Sequence, residues 1–191
     1  MSDPAFVALP DLGGPEPAHW LTAWSEGPGD WRMVAPPDPG DPDPGEWRAA
    51  LSTAISDAGG PVAVIAHGLG CLVLAGLAEG APAAVAPVVG ALLAAPPDAA
   101  QGLARPAVAR FGTGPEGGGP WGALPFPAVV AASQSDPWCD YARAAALARA
   151  WDAPLADMGA AGHLGAADGY REWPEGEALM GDLLAAARLV R

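Results

Sequence analysis

Buried strands alternating with amphipathic helices predict an α/β fold with a mostly parallel sheet and helices on both faces. Two observations carry this expectation. Short apolar runs closed by Gly or Pro recur along the chain. One of them, Val62 to Ala66, passes without a gap into a helical stretch ending near Glu79. The 191 residues and 19.0 kDa suit one domain, residues 1–191, with a core of useful size.

The elements follow in order. Phe6 to Leu9 reads as a buried strand, closed by Pro10 and the turn Asp11-Leu12-Gly13-Gly14-Pro15. Ala18 to Ser25 carries Trp20, Leu21 and Trp24 on one helical face, and Arg32 to Pro36 is a candidate second strand. Prolines at nearly every second position exclude regular structure from Pro36 to Pro44. Trp47, Leu51 and Ile55 recur at helical spacing within Glu46 to Ala58. After the strand and helix at 62–79, strands are expected at Val88 to Ala95, Ala128 to Ala132 and, weakly, Pro154 to Met158. Helices are expected at Tyr141 to Trp151 and Glu177 to Val190. Residues 96–127, rich in Gly and Pro, read as a long surface excursion.

Composition narrows the function classes. Hydrophobic residues make up 51% and charged residues 16%, which argues against disorder. No apolar window reaches the roughly 18 residues that a membrane span needs. A net charge of −13 disfavours a nucleic-acid or anionic-membrane partner. Residues 1–10 lack the basic and apolar regions of a secretory signal, and two cysteines are too few for a disulfide framework. A cytoplasmic location is the resulting expectation.

The chemistry concentrates around the turn at 67–70. A strand running straight into a helix, with small residues two positions either side of the apex, is the layout of a nucleophile elbow. Ala66 and Gly70 are those small residues, which puts Gly68 at the apex. Asp136 follows the strand Ala128 to Ala132, and His163 follows the last weak strand. Elbow, acid and base then run in the chain order of an α/β hydrolase, where Asp orients the imidazole and His takes the proton of the nucleophile.

The motifs at these positions resemble the small serine hydrolases of the retinoblastoma-binding-protein type. They are Leu12-Gly13-Gly14 with His19-Trp20, and Ala66-His67-Gly68-Leu69-Gly70-Cys71-Leu72. Further on come Ala94-Ala95-Pro96-Pro97-Asp98, Ala132-Ser133-Gln134-Ser135-Asp136-Pro137-Trp138-Cys139, Gly162-His163-Leu164-Gly165-Ala166-Ala167, and Trp173-Pro174-Glu175-Gly176. The resemblance covers nearly the whole chain. It implies a compact α/β-hydrolase fold without a cap domain, Asp136 as triad acid and His163 as triad base. It also implies an oxyanion hole from the Leu69 N–H and a backbone N–H near Leu12. Trp138, beside the acid, is expected at the mouth of the site.

Two positions depart from the family pattern. Gly68 stands where the nucleophilic Ser belongs, and Asp11 stands where Gly is usual, placing a carboxylate beside the oxyanion site. Three functions follow as alternatives. One is an esterase- or amidase-like hydrolase in a Ser→Gly form, inactive in acyl transfer and restored by Gly68→Ser. Another is a non-catalytic pseudo-hydrolase that binds a small molecule or a protein. The third uses His163 and Asp136 as a base without a covalent intermediate.

Competing chemistries are weaker. Cys71, one turn past the elbow, and Cys139 read as small buried residues, and His67 reads as elbow packing. Asp38, Asp41, Asp43 and Glu46 read as a solvated acidic loop, since their prolines oppose a cation-binding geometry. Three scattered histidines offer no zinc spacing, and Gly13-Gly14 lacks a dinucleotide fingerprint. No cofactor or metal is expected. A small-molecule substrate or ligand is.

Overall fold

The computed structural model describes residues 3–101, 106–112 and 122–189. Six strands form one all-parallel sheet: β1 (Ala5–Leu9), β2 (Trp31–Met33), β3 (Val62–His67), β4 (Val88–Ala94), β5 (Ala128–Ala132) and β6 (Leu155–Asp157). Their order is β2-β1-β3-β4-β5-β6. The chain leaves β1 toward one edge and then builds from β3 toward the other. This reversal creates a switch point at the carboxyl ends of β1 and β3, the place where open parallel sheets hold ligands.

Strand side chains alternate between two cores, as a pleated sheet requires. Val7, Leu9, Val62, Val64, Ala66, Ala91, Leu93 and Val130 face one layer. That layer contains α2 (Pro44–Asp57), α3 (Leu69–Gly80), α4 (Pro106–Gly112) and α5 (Tyr141–Ala150). Ala8, Ala63, Ile65, Leu92, Ala94 and Ala131 face the other, with α1 (Trp20–Ser25) and α6 (Pro174–Leu189).

Local chemistry moves several boundaries from those expected. The second strand is Trp31–Met33, shorter and earlier than Arg32 to Pro36. Val34 still donates its N–H to the Ala8 carbonyl (2.9 Å), and the prolines at 36 and 37 then remove the donors that pairing needs. Helix α2 starts at Pro44, since Pro suits the first helical position and the Asp43 Oδ1 accepts the Glu46 N–H at 2.9 Å. Helix α6 likewise starts on Pro174, three residues before the expected start. Part of the expected surface excursion is instead helical. Val108 and Phe111 of α4 are buried, and the Phe111 ring meets Trp47 edge-on at 6.0 Å. Residues 102–105 and 113–121 of that stretch lie outside the described residues.

Candidate active site

Four loops at the carboxyl edge of the sheet bring the site together. They leave β1 with Asp11, β3 with Gly68, β5 with Asp136 and β6 with His163. Gly68 is the residue before α3, at φ 53° and ψ −124°, a backbone conformation that side chains rarely adopt. Its N–H donates to the Ala94 carbonyl (2.9 Å), which fixes the turn against β4. Gly70 permits close packing of α3 on the end of β1. A Cβ there would stand 2.7 Å from the Leu9 Cβ and 2.8 Å from its carbonyl oxygen.

His163 is held on several sides. Its Nδ1–H donates to the Asp136 carboxylate, 2.9 Å from Oδ2 and 3.0 Å from Oδ1. A carboxylate only accepts, so this contact fixes the proton on Nδ1. The Asp136 side chain is 3% exposed, and its Oδ1 also accepts the Trp138 N–H at 2.8 Å. The backbone N–H of His163 donates to Asp168 Oδ2 (2.9 Å), and its carbonyl accepts from His67 Nε2 (2.8 Å). His67 is therefore more than elbow packing, because it braces the loop that carries His163.

Ser133 and Ser135 join the loops that carry Asp136 and His163, a role the sequence motif did not disclose. The Ser133 Oγ accepts the Ala161 N–H (2.9 Å), and the Ser135 Oγ accepts the Gly162 N–H (3.0 Å). Leu164, at φ 56°, turns the chain sharply after His163, and its carbonyl accepts from the Trp20 Nε1–H at 2.9 Å.

The remaining space above Gly68 is not open. Asp11 reaches across the switch point, and its Oδ1 accepts the Leu69 N–H at 2.7 Å. Its Oδ2 lies 3.4 Å from His163 Nε2. A Cβ built on Gly68 would run into Asp11 Cγ and Oδ1 and stand 2.7 Å from the Asp11 Cβ. A side chain at position 68 and the Asp11 carboxylate compete for one volume, so Gly68→Ser requires Asp11 to move. The donor assigned to an oxyanion hole, the Leu69 N–H, already serves Asp11.

Two carboxylates set the charge of His163. Burial opposes the imidazolium, but hydrogen bonding and charge from Asp11 and Asp136 outweigh it and raise the pKa to about 9. His67 and His19 go the other way. Burial lowers them to about 4 and about 3, helped by neighbouring imidazoles. The three rings form a chain, with centroids 4.6 Å apart from His19 to His67 and 4.9 Å from His67 to His163. His19 Nδ1 accepts the Leu21 N–H (3.1 Å) at the start of α1, which leaves the proton of the neutral ring on Nε2.

A cavity of about 340 Å³ opens over this arrangement, lined by Asp11, Leu12, His19, His67, Trp138 and His163 among others. Leu12 and Trp138 both line it. Cys71 does not. It is fully buried with Sγ 3.4 Å from the Ala94 carbonyl, and burial raises its thiol pKa well above the ordinary value. Cys139 is pushed up to about 12, again chiefly by burial. Neither thiol is poised to ionise. Among the described residues, no group of three or more His, Cys, Asp and Glu could hold a metal ion. No helix among them is long and apolar enough to cross a membrane.

A parallel sheet whose central strand turns through a glycine apex into a buried helix, with a hydrogen-bonded Asp and His on later strand ends, defines an α/β hydrolase. A family model described as serine hydrolase matches residues 6–182, and the chain belongs to that family. No curated protein matches. Among solved structures, a YdeN-like hydrolase of Pectobacterium atrosepticum is similar, at 24% identity and TM-score 0.78. The alignment covers 97% of this chain and 91% of that one. The ydeN gene product of B. subtilis superposes at TM-score 0.71 with 17% identity, covering 95% and 99%. Mouse alpha/beta hydrolase domain-containing protein 10 does so at 0.68 with 13% identity, covering 100% and 92%. At these identities the likeness establishes the fold.

Proposed function

We propose that this chain is a member of the serine hydrolase family that binds a small molecule in the cavity lined by Asp11, Trp138 and His163 and does not carry out serine-type acyl transfer. One observation carries the reading: the Asp11 carboxylate fills the volume in which a side chain at position 68 would project. Acyl transfer needs a nucleophile, a base and an oxyanion donor. Gly68 has no side chain. A His163 with pKa about 9 is protonated at neutral pH and has no lone pair to accept a proton. The Leu69 N–H is engaged by Asp11. The protonation of His163 also counts against the alternative in which His163 and Asp136 act as a simple base.

The test is covalent labelling with a fluorophosphonate probe, together with a burst assay on p-nitrophenyl esters. The protein should give neither signal, and Gly68→Ser alone should stay silent because Asp11 obstructs the new hydroxyl. Stoichiometric labelling of the unmodified protein, mapped to any residue of the cavity, overturns the reading.

A further inference from the structure

The Asp11 carboxylate is more than an obstruction. Among the described residues it is the one anionic group with its two oxygens on the two features that flank the elbow, the Leu69 N–H and the His163 imidazole. We infer that Asp11 is itself the nucleophile, attacking a saturated carbon that bears an anionic leaving group such as a halide or a sulfonate. The inference rests on the preceding reading that serine acyl transfer is absent.

Geometry selects alkyl over acyl substrates. Attack by a carboxylate on an ordinary ester gives a tetrahedral adduct that expels the weaker base, the carboxylate, and so returns to reactants. The adduct would also need an oxyanion donor, and the Leu69 N–H is already bonded to Asp11 Oδ1. Displacement at saturated carbon needs no such donor. It needs a carboxylate beside a pocket that can hold the alkyl group, and Asp11 lines one of about 340 Å³ with a side chain 16% exposed.

The first step balances simply. Asp11 Oδ2 forms a bond to carbon as the carbon–X bond breaks, and X⁻ departs with the electron pair. The product is an alkyl ester of Asp11 with its carbonyl oxygen, Oδ1, still on the Leu69 N–H. The ester carries no charge, so His163 loses the Asp11 contribution to its raised pKa and releases its Nε2 proton to solvent. Neutral His163, held by Asp136 through Nδ1–H, then accepts a proton from a water that adds to Asp11 Cγ. Negative charge develops on Oδ1, where the Leu69 N–H already points. Collapse breaks the Cγ–Oδ2 bond, and the alkoxide takes the proton from His163. The sum is R–X plus water giving R–OH, H⁺ and X⁻, with Asp11 carrying one oxygen from water. His163 thus changes role with the charge of Asp11, an acid-form partner before alkylation and a base after it.

Methyl p-nitrobenzenesulfonate is a suitable probe because its methyl carbon is unhindered and release of its leaving group changes the ultraviolet absorbance. In His163→Gln the ester cannot be hydrolysed, and peptide mass spectrometry should find a methyl group on Asp11 ahead of the solvent-exposed carboxylates. In the unmodified protein, single turnover in heavy-oxygen water should leave the label in Asp11 and ordinary oxygen in the first methanol released. Asp11→Asn should abolish both signals. Methylation spread over surface carboxylates with none favoured at Asp11, or heavy oxygen entering methanol directly, overturns the inference. Those outcomes leave the fluorophosphonate result untouched, so failure here is distinguishable from failure of the proposed function.

Discussion

At the scale of single residues, the site is governed by a reciprocal exchange of space: position 68 carries no side chain, and the Asp11 carboxylate occupies the volume that one would enter. The consequence is electrostatic as well as steric. His163 faces Asp11 and Asp136 as anions, with the His67 and His19 rings tilted one behind the other beyond it. Removing the Asp11 charge while keeping its shape should release part of the support for the imidazolium. In an NMR titration the His163 ring should be protonated up to about pH 9 in the unmodified protein. In Asp11→Asn it should titrate lower. An unchanged midpoint in Asp11→Asn would mean that Asp136 alone sets the charge. Gly68, Asp136 and His163 were legible in the sequence because each sits in a local motif on a strand end. The contact of Asp11 with both Leu69 and His163 was not, since it depends on how two loops far apart in the chain meet.

At the scale of elements, the strands were the most legible feature, because apolar runs such as Val62 to Ala66 and Ala128–Ala132 are buried throughout. Helix starts were less so. Pro44 and Pro174 look like breakers in a string of residues, yet both open helices, and only the Asp43 cap reveals the first. Asp43→Ala removes the acceptor for the Glu46 N–H and should cost about 1 kcal/mol in urea unfolding, without touching the site. Helix α4 was hidden by its Gly- and Pro-rich surroundings, although Val108 and Phe111 carry the apolar spacing of a short buried helix. The Ser133 and Ser135 links escaped for another reason. Hydroxyl-to-backbone bonds between loops 27 or 28 residues apart leave no periodic trace.

At the scale of the whole molecule, buried imidazoles of opposite sign preference shape stability against pH. The His163 pKa is raised above its unfolded value, so its contribution is full below about pH 6.5 and is lost as pH climbs through about 9. His67 and His19 are depressed, so their contributions are present above about pH 6.5 and are lost as pH falls toward about 4 and about 3. Melting temperature should therefore peak near neutrality and decline on the alkaline side between those limits. In His163→Gln the alkaline decline should flatten.

The sheet order is what sets residues 11 and 68 face to face, since β1 and β3 are neighbours at the switch point while the chain between them contains α1, β2 and α2. The most direct measurement of that relationship is fluorophosphonate labelling across a cycle of four proteins: unmodified, Asp11→Gly, Gly68→Ser and the double variant. The exchange predicts labelling only in the double variant, where the introduced hydroxyl has room, the Leu69 N–H is free for an oxyanion, and His163 is released toward a base. Labelling of Gly68→Ser as complete as that of the double variant would contradict it, because Asp11 would then not hold the volume, the donor and the charge that the structure gives it.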